Sequence, residues 1–193
     1  MATIDANGRF LLTPDEPPKA GRVREILQAQ RGFLSRPDPE FDAFALNLAR
    51  AAAELIGTRT LPYTMVNVID GHQQQYFTGL HVPTGPDGHT PEVARTMERN
   101  LGFCVHTLDR GEALVLEDVT GVARYANNGV VNGAGVRTYM GAPLIDAETG
   151  VPYGTICVLD TQPRQWGRGG LELIKHSRDE LSRMLDARKR AQQ

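Results

Sequence analysis

The chain has 193 residues, of which 40% are hydrophobic and 23% charged, and its formal net charge is −2. A chain of this length and composition is expected to fold as one soluble domain with a core of its own, and it is too short for two domains of ordinary size. The charge gives no reason to expect a nucleic-acid-binding surface, and no run of about 18 apolar residues is present that could span a membrane.

The first residues lack the basic start and apolar run of a secretion signal, so we expect a cytoplasmic protein. Cys104 and Cys157 lie far apart in the sequence with apolar neighbours, which predicts two buried thiols in a reducing compartment. The five histidines form no closely spaced cluster of the kind that binds zinc. We therefore expect no metal and no cofactor.

The N-terminal region combines a polar arm with a helix. Met1 to Ala20 is polar and rich in proline, and we predict a flexible arm with little structure of its own. Gly21 to Leu34 is predicted to be helical, because its apolar residues fall roughly on one face. The domain itself is therefore expected to span residues 21–190.

A second helix has clear signals at both ends. Asp38 can cap its N-terminus, and Pro39 fits the first helical position. Apolar residues then recur at spacings of three and four from Phe41 to Leu55, which indicates a helix that faces a core. Gly57 is suited to end it, since the residue after a helix often takes a left-handed conformation.

The middle of the chain predicts a hairpin and a third helix. Tyr63 to Asp70 is rich in β-forming residues, and Gln74 to Leu80 can pair back on it. His81 to His89 contains too much glycine and proline for regular structure. Pro91 to Leu101 is predicted to be a helix that stops at Gly102.

The C-terminal part predicts three strands and a long helix. Ala113 to Val119 forms a buried strand, and an irregular loop follows it. Arg137 to Asp146 and Val151 to Asp160 form a hairpin, in which Gly141 and Gly154 would allow a close approach of neighbouring atoms. Gly170 to Arg190 forms the last helix. Because hairpins dominate and helices gather at the two ends, we predict an α+β fold with an antiparallel sheet.

The sequence contains no phosphate-binding loop, nucleophile elbow or zinc motif. Cys104 and His106, two positions apart, could form a reactive pair, although a small buried cysteine and a hydrogen-bonded histidine explain the same residues. The polar loop after the third strand holds Arg124, Tyr125 and Asn128. These residues could offer hydrogen bonds to a small ligand, or they could simply make turns and contact solvent.

Taken in order, these segments resemble the GAF domain, the small-molecule-sensing module of phytochromes, cyclic-nucleotide phosphodiesterases and bacterial sensor kinases. Gly102 to Leu108 resembles the family's SFC-x-H segment, with Gly102 in place of the serine. Ala113 to Val131 resembles its third strand and RF-x-x-NP-x-V loop, with Tyr for Phe and Gly for Pro. Tyr139 to Asp146 and Tyr153 to Trp166 resemble the family's YAGAPL and GTLCVIDxxPR segments. The resemblance runs from about residue 21 to residue 188.

The resemblance implies a central antiparallel sheet of about six strands. The terminal helices would lie on one face and a loop that covers a ligand pocket on the other, with the insert from His81 to Met97 lengthening one wall. It implies a non-enzymatic sensor that binds an unidentified small molecule and signals to a partner protein or through a homodimer. The dimer would use the helical stripe at Ile174, Leu181 and Leu185 together with Val23 to Leu34. The residues expected to bind the ligand are Phe103, Cys104, His106, Arg124, Tyr125, Asn128, Tyr139 and Cys157.

Departures from the family's patterns reduce the number of ligand classes to be expected. Thr120 to Gly135 has no Cys or His for a covalent bilin, and the NKFDE-type set of cyclic-nucleotide binders is absent from the sequence. Three alternatives remain open. One is a small reductase, similar to methionine sulfoxide reductases of this fold, that uses Cys104. The second is an interaction module with a vestigial pocket, and the third is a haem protein with His106 as the axial ligand.

Overall fold

The structure is a computed structural model that describes residues 3–4, 10–11, 21, 23, 36–69 and 74–191. In the N-terminal arm, strand β1 (Thr3–Ile4) pairs antiparallel with β2 (Phe10–Leu11). This is more regular structure than the sequence predicts for the arm. Of the helix expected from Gly21 to Leu34, only Gly21 and Val23 are described, and both are helical. The rest of that prediction, and the turn at residues 70–73, lie outside the described residues.

The centre of the domain is an antiparallel sheet of six strands in the order β5-β4-β3-β8-β7-β6. This confirms the predicted α+β class, and both predicted hairpins, β3–β4 and β7–β8, are formed. The strands are β3 (Tyr63–Ile69), β4 (Gln74–His81), β5 (Thr96–Glu98), β6 (Leu114–Leu116), β7 (Thr138–Ile145) and β8 (Pro152–Asp160).

The described helices are α1 (Pro39–Leu55), α2 (Cys104–Arg110), α3 (Gly129–Ala134) and α4 (Gly167–Ala191), with a 3-10 turn at Val119–Gly121. The predicted start of α1 is confirmed, because the Asp38 carboxylate accepts hydrogen bonds from the backbone N–H groups of Glu40 and Phe41. Gly57 follows the helix with a φ of 66°, as its position predicts. No described helix is long and apolar enough to cross a membrane.

Two hydrophobic cores lie on opposite faces of the sheet, because alternate residues of a strand point to opposite sides. On one face, Val66 and Val68 of β3 and Ile156 of β8 pack against α1 and α4. On the other face, Met65 of β3 and Cys157 of β8 pack against α2 and its flanking segments. The terminal helices and the covering loops therefore occupy separate faces, as the family resemblance implies.

The apolar stripe of α4 packs inside the protomer. Ile174, Leu181 and Leu185 are buried in the core between the helices and the sheet. They are therefore not free to form the helical bundle expected of a dimer. The homodimer itself stays a prediction, and it would need a different surface.

The helix predicted from Pro91 to Leu101 is wrong. Thr96–Glu98 instead forms β5, which pairs with β4 at the edge of the sheet. The amide of Gln75 on β4 donates to the Leu101 carbonyl over 2.6 Å, which holds the chain beyond β5 against the same edge. The unpaired backbone groups of an edge strand, which local sequence signals do not reveal, favour the extended conformation here.

Candidate functional site

A cavity of about 330 Å³ lies on the sheet face opposite α1 and α4. Its floor is formed by β3, β4 and β8, and its walls by the segment around β5, the start of α2, and α3 with the residues after it. This volume lies at the small end of the range for ligand sites in proteins. The lining residues are Tyr63, Met65, Phe77, Val93, Ala94, Thr96, Met97, Gly102, Phe103, Cys104, Val130, Ala134, Val136, Leu159 and Thr161.

The lining is almost entirely apolar. Among the described residues that line the cavity, none carries a charged side chain, and the polar groups are the hydroxyls of Tyr63, Thr96 and Thr161 and the thiol of Cys104. An ionised ligand would lose its hydration in such a site without gaining a partner of opposite charge. The cavity therefore suits an uncharged, largely apolar molecule.

Two of the eight residues predicted to bind a ligand, Phe103 and Cys104, line this cavity. Cys157 and Tyr139 lie buried directly behind Cys104. The remaining four, on α2 and in the loop before α3, are placed outside the lining. Arg124 among them is exposed at the surface, so it does not offer the cavity a positive charge.

The two cysteines meet at the inner end of the cavity. Their Sγ atoms are 3.7 Å apart, although 53 positions separate them in the chain. Cys104 begins α2, and Cys157 lies in the middle of β8 opposite Gly141. Cys104 is 4% exposed and Cys157 is fully buried, and neither forms a disulfide. This confirms the prediction of two buried thiols and shows, in addition, that they are neighbours.

Tyr139 connects α2 to the sheet behind the thiols. Its hydroxyl hydrogen-bonds the Thr107 hydroxyl over 2.8 Å and donates to the Cys104 Sγ over 3.7 Å. The ring lies over Gly141, where an added Cβ would overlap the hydroxyl and lie 2.6 Å from Cζ. The close approach predicted at Gly141 is therefore confirmed, and its cause is the Tyr139 ring.

The surroundings shift the pKa values of the two thiols in opposite directions. The hydrogen bond between Cys104 and Cys157 is the largest influence on Cys104, and it lowers the pKa of that thiol from 9.0 to about 7 against the opposing effect of burial. The same hydrogen bond and burial raise the pKa of Cys157 well above its ordinary value. Burial also raises the pKa of the Tyr139 hydroxyl, so it remains a hydrogen-bond donor at neutral pH.

A buried polar network beside the cavity was missed by the sequence reasoning. The Asn67 side-chain oxygen accepts from the Thr155 backbone N–H over 3.1 Å and from its hydroxyl over 2.6 Å. The Asn67 amide nitrogen donates to the Gln75 side-chain oxygen over 3.1 Å. All three side chains are fully buried. The sequence contained one signal for this network, the polar residue Asn67 within the apolar run of β3, because a buried amide side chain needs hydrogen-bond partners.

Asn128 joins the two walls of the cavity. Its side-chain oxygen accepts from the Gly102 backbone N–H, and its amide nitrogen donates to the Gly102 carbonyl, each over 2.8 Å. The same oxygen accepts from the Val130 N–H at the start of α3. Asn128 therefore holds backbone groups, and its polar atoms are already occupied.

His106 lies outside the cavity lining and contacts Tyr125, with ring centroids 5.0 Å apart. Its Nδ1 atom has no hydrogen-bond partner among the described residues. Burial is the largest cause that lowers the pKa of His106 to about 4, and the positive charges of Arg124 and Arg99 act in the same direction. The imidazole is therefore neutral at pH 7. Within the described part of the chain, no group of three or more His, Cys, Asp or Glu side chains could hold a metal ion.

Comparison with known proteins gives a family and a fold. The family model described as "GAF domain" matches residues 20–183. No curated protein matches the sequence. A similar solved structure is a free methionine-R-sulfoxide reductase from Neisseria meningitidis, with 17% identity, a TM-score of 0.54, and coverage of 92% of this chain and 96% of that one.

Two further structures extend the comparison. The GAF domain of an Acinetobacter phosphoenolpyruvate-protein phosphotransferase has 12% identity and a TM-score of 0.52, over 85% of this chain and 92% of that one. The blue-light-absorbing form of the PixJ domain from Thermosynechococcus elongatus has 18% identity and a TM-score of 0.50, over 75% of this chain and 86% of that one. At these identities, the likeness concerns the fold.

Proposed function

Because the chain belongs to the GAF domain family, we propose that it is a non-enzymatic sensory domain that binds a small, uncharged, largely apolar ligand in the cavity between the sheet and α3. The observation that carries this proposal is the lining. The cavity has a volume of about 330 Å³ and a mostly apolar lining. An apolar molecule that displaces water from it removes apolar surface from water, which makes binding favourable. The family is in general sensory or regulatory, which agrees with binding rather than turnover.

The cavity opens between two exposed segments, which explains how a ligand would enter. Ala94 lies on one side and Ala134 of α3 on the other, and both line the cavity and are exposed. α3 forms one wall of the cavity, and Asn128 directly before it hydrogen-bonds Gly102 in the opposite wall. Binding would therefore be felt first by α3 and by the residues that follow it.

A short connection leads from the cavity to α4. Val136 lines the cavity, and Thr138, two residues later, accepts a 2.7 Å hydrogen bond from the Trp166 indole N–H. Trp166 directly precedes α4. A ligand that moves α3 and Val136 would act on α4 through this connection, and α4 would pass the change to a partner protein or a second copy of the chain.

The alternative of a free methionine sulfoxide reductase fits the site less well. A similar structure is such an enzyme in complex with its substrate. Free methionine sulfoxide carries an ammonium group and a carboxylate, and both would need partners in the site. Since no described lining residue is positively charged, the cavity offers the carboxylate no partner, and we propose binding without turnover.

Binding of the uncharged fluorescent probe N-phenyl-1-naphthylamine tests the proposal. The native chain is expected to enhance its emission in a saturable way at a 1:1 ratio. Ala134→Trp should weaken binding at least about tenfold, because the indole fills the cavity mouth. Ala147→Trp is the matched control, since Ala147 is exposed in the β7–β8 turn outside the lining, and it should bind as the native chain does. Absence of saturable binding, or equal binding by both variants, would refute the ligand site.

A further inference from the structure

The proposed ligand binding does not explain why two thiols meet at the inner end of the cavity. Cys104 and Cys157 come from α2 and β8, which the fold brings together, and their sulfur atoms are in van der Waals contact at 3.7 Å. Cys104 lines the cavity, whereas Cys157 does not. We propose that these residues form a reversible disulfide within the folded domain when a small apolar hydroperoxide enters the cavity.

The distance between the sulfur atoms allows this bond with a small movement. A disulfide has an S–S length of about 2.05 Å, so the two sulfurs must approach by about 1.7 Å. Rotation of the cysteine side chains and a small shift of α2 would supply that movement. Cys104 is the residue at the start of α2, so it lies where the helix can adjust most easily.

The surroundings assign different roles to the two residues. The Cys104 sulfur contacts the cavity and receives a hydrogen bond from the Tyr139 hydroxyl, which is itself bonded to Thr107. Its lowered pKa makes the thiolate accessible near neutral pH. Cys157 is sealed beneath it, out of contact with the cavity. Cys104 is therefore the thiol that meets the oxidant, and Cys157 is the thiol that resolves the product.

The reaction is a two-electron oxidation of two thiols. The Cys104 thiolate attacks the terminal oxygen of the hydroperoxide, the O–O bond breaks, and the alkoxide leaves as an alcohol after taking a proton. The resulting Cys104 sulfenic acid is attacked by the Cys157 sulfur. The S–S bond forms, and the hydroxyl group leaves as water with the proton from Cys157. In total, two thiols and one hydroperoxide give one disulfide, one alcohol and one water.

The cavity selects the class of oxidant. Apart from the Cys104 thiolate, its walls are uncharged, so they admit an uncharged alkyl or aryl hydroperoxide, and its volume limits the size of the organic group. This inference uses the shape and lining of the cavity and does not require the ligand of the proposed function. The domain would then report oxidised apolar molecules through the state of its thiols.

The chain contains no cysteine other than these two, so the product can be measured without ambiguity. The purified, reduced full chain is treated with one equivalent of cumene hydroperoxide, and the thiols are counted in denaturant. We expect the count to fall from two to zero, with the protein remaining a monomer on a non-reducing gel and with both thiols restored by dithiothreitol. Retention of two thiols, or formation of disulfide-linked dimers instead, would overturn the proposal.

Single substitutions test the assigned roles. In Cys157→Ser, the sulfenic acid on Cys104 has no resolving thiol, so dimedone should label it, and the native chain should show little label. In Cys104→Ser, the remaining thiol should survive the same treatment, because Cys157 does not contact the cavity. If Cys157 oxidises as fast in Cys104→Ser as in the native chain, the proposal fails. The measurement on the native chain stands even if a variant folds poorly.

The Ala134→Trp variant and its control, Ala147→Trp, separate this inference from the proposed function. Ala134→Trp should slow thiol loss to cumene hydroperoxide at least about tenfold, and Ala147→Trp should leave the rate unchanged. Equal rates in the two variants would show that the oxidant does not use the cavity and would overturn the proposed route. Disulfide formation in a chain that binds no naphthylamine probe would refute the proposed ligand site and support the dithiol.

Discussion

Asn128 hydrogen-bonds both the backbone N–H and the carbonyl of Gly102, as a paired strand would. This contact links α3 to the segment that enters α2, so the two walls of the cavity are held at a fixed separation. Gly102 has a φ of 80°, a backbone conformation that residues with a side chain rarely adopt. Asn128 and Gly102 therefore connect two walls of the cavity.

Substitution of Asn128 by alanine is expected to destabilise the domain by about 2–4 kcal/mol. The change removes two buried hydrogen bonds and the cap of α3. Urea unfolding measures the difference. Asn132→Ala on the same helix, where the side chain is exposed, should cost less than about 0.5 kcal/mol. Equal costs for both variants would contradict the role given to Asn128.

Gly141→Ala is expected to destabilise the domain by about 1–3 kcal/mol, because the new Cβ would overlap the Tyr139 ring and hydroxyl. Removal of the hydroxyl in Tyr139→Phe should relieve part of this overlap. The cost of Gly141→Ala should therefore be smaller when it is combined with Tyr139→Phe, which a double-mutant cycle of unfolding free energies would reveal. Additive costs would mean that the two residues do not interfere.

Thr138→Val is expected to cost about 1–3 kcal/mol, because it leaves the buried Trp166 indole N–H without its acceptor. Thr138→Ser keeps the hydroxyl and serves as the control. Trp166 is the single tryptophan of the chain, so its fluorescence reports directly on this change. An emission spectrum that is shifted in the valine variant and native-like in the serine variant is the expected result. Identical spectra in both would contradict the connection to α4.

Acid is expected to destabilise the domain through His106. Its pKa in the folded state is about 4, below the ordinary value of 6.5, so the unfolded chain binds the proton first as the pH falls. The stabilisation is complete above pH 6.5 and is lost between pH 6.5 and pH 4, by about 3 kcal/mol. The charged groups near the imidazole are Arg124, Arg99 and Asp109.

The measurement for His106 is the free energy of unfolding at pH 7, 6, 5 and 4. His106→Leu should lack the part of the decline that falls between pH 6.5 and pH 4, because leucine takes up no proton. If the leucine variant and the native chain lose stability in parallel over this range, the imidazole is not the responsible group.

The reactivity of Cys104 is expected to rise with pH around a midpoint near 7, where an ordinary thiol would have its midpoint near 9.0. The titratable groups that face its sulfur are Cys157 and Tyr139. Cys157→Ala removes the main stabilising hydrogen bond and should move the midpoint toward 9.0. Rates of iodoacetamide modification, mapped to Cys104 by mass spectrometry, give the profile. A midpoint near 9.0 in the native chain would contradict the assignment.

The sheet and its two long helices could be predicted because their signals are local and repeated. The cap at Asp38, the spacing from Phe41 to Leu55 and the paired strands near the C-terminus each match a simple pattern. The strand around Thr96 could not be predicted, because it forms by pairing with β4 at the edge of the sheet, about 20 residues earlier in the sequence. Its flanking proline favoured a helix instead.

The site was harder to predict, since a polar side chain in a loop can face a ligand, the backbone or solvent. Arg124 and Asn128 looked alike in the sequence, yet the first is exposed and the second binds backbone groups. The aromatic and sulfur-containing residues near the thiols were easier, because each belongs to an apolar segment. Their mutual contacts depend on how α2 lies across β7 and β8, which only the folded chain reveals.

The sheet works as a partition between two compartments with different tolerance to change. The side that carries α1 and α4 is packed against both helices, whereas the other side contains the cavity. Substitutions in the cavity lining can therefore alter what enters without disturbing the packing behind the sheet. The lining could therefore diverge in sequence while the architecture stayed the same.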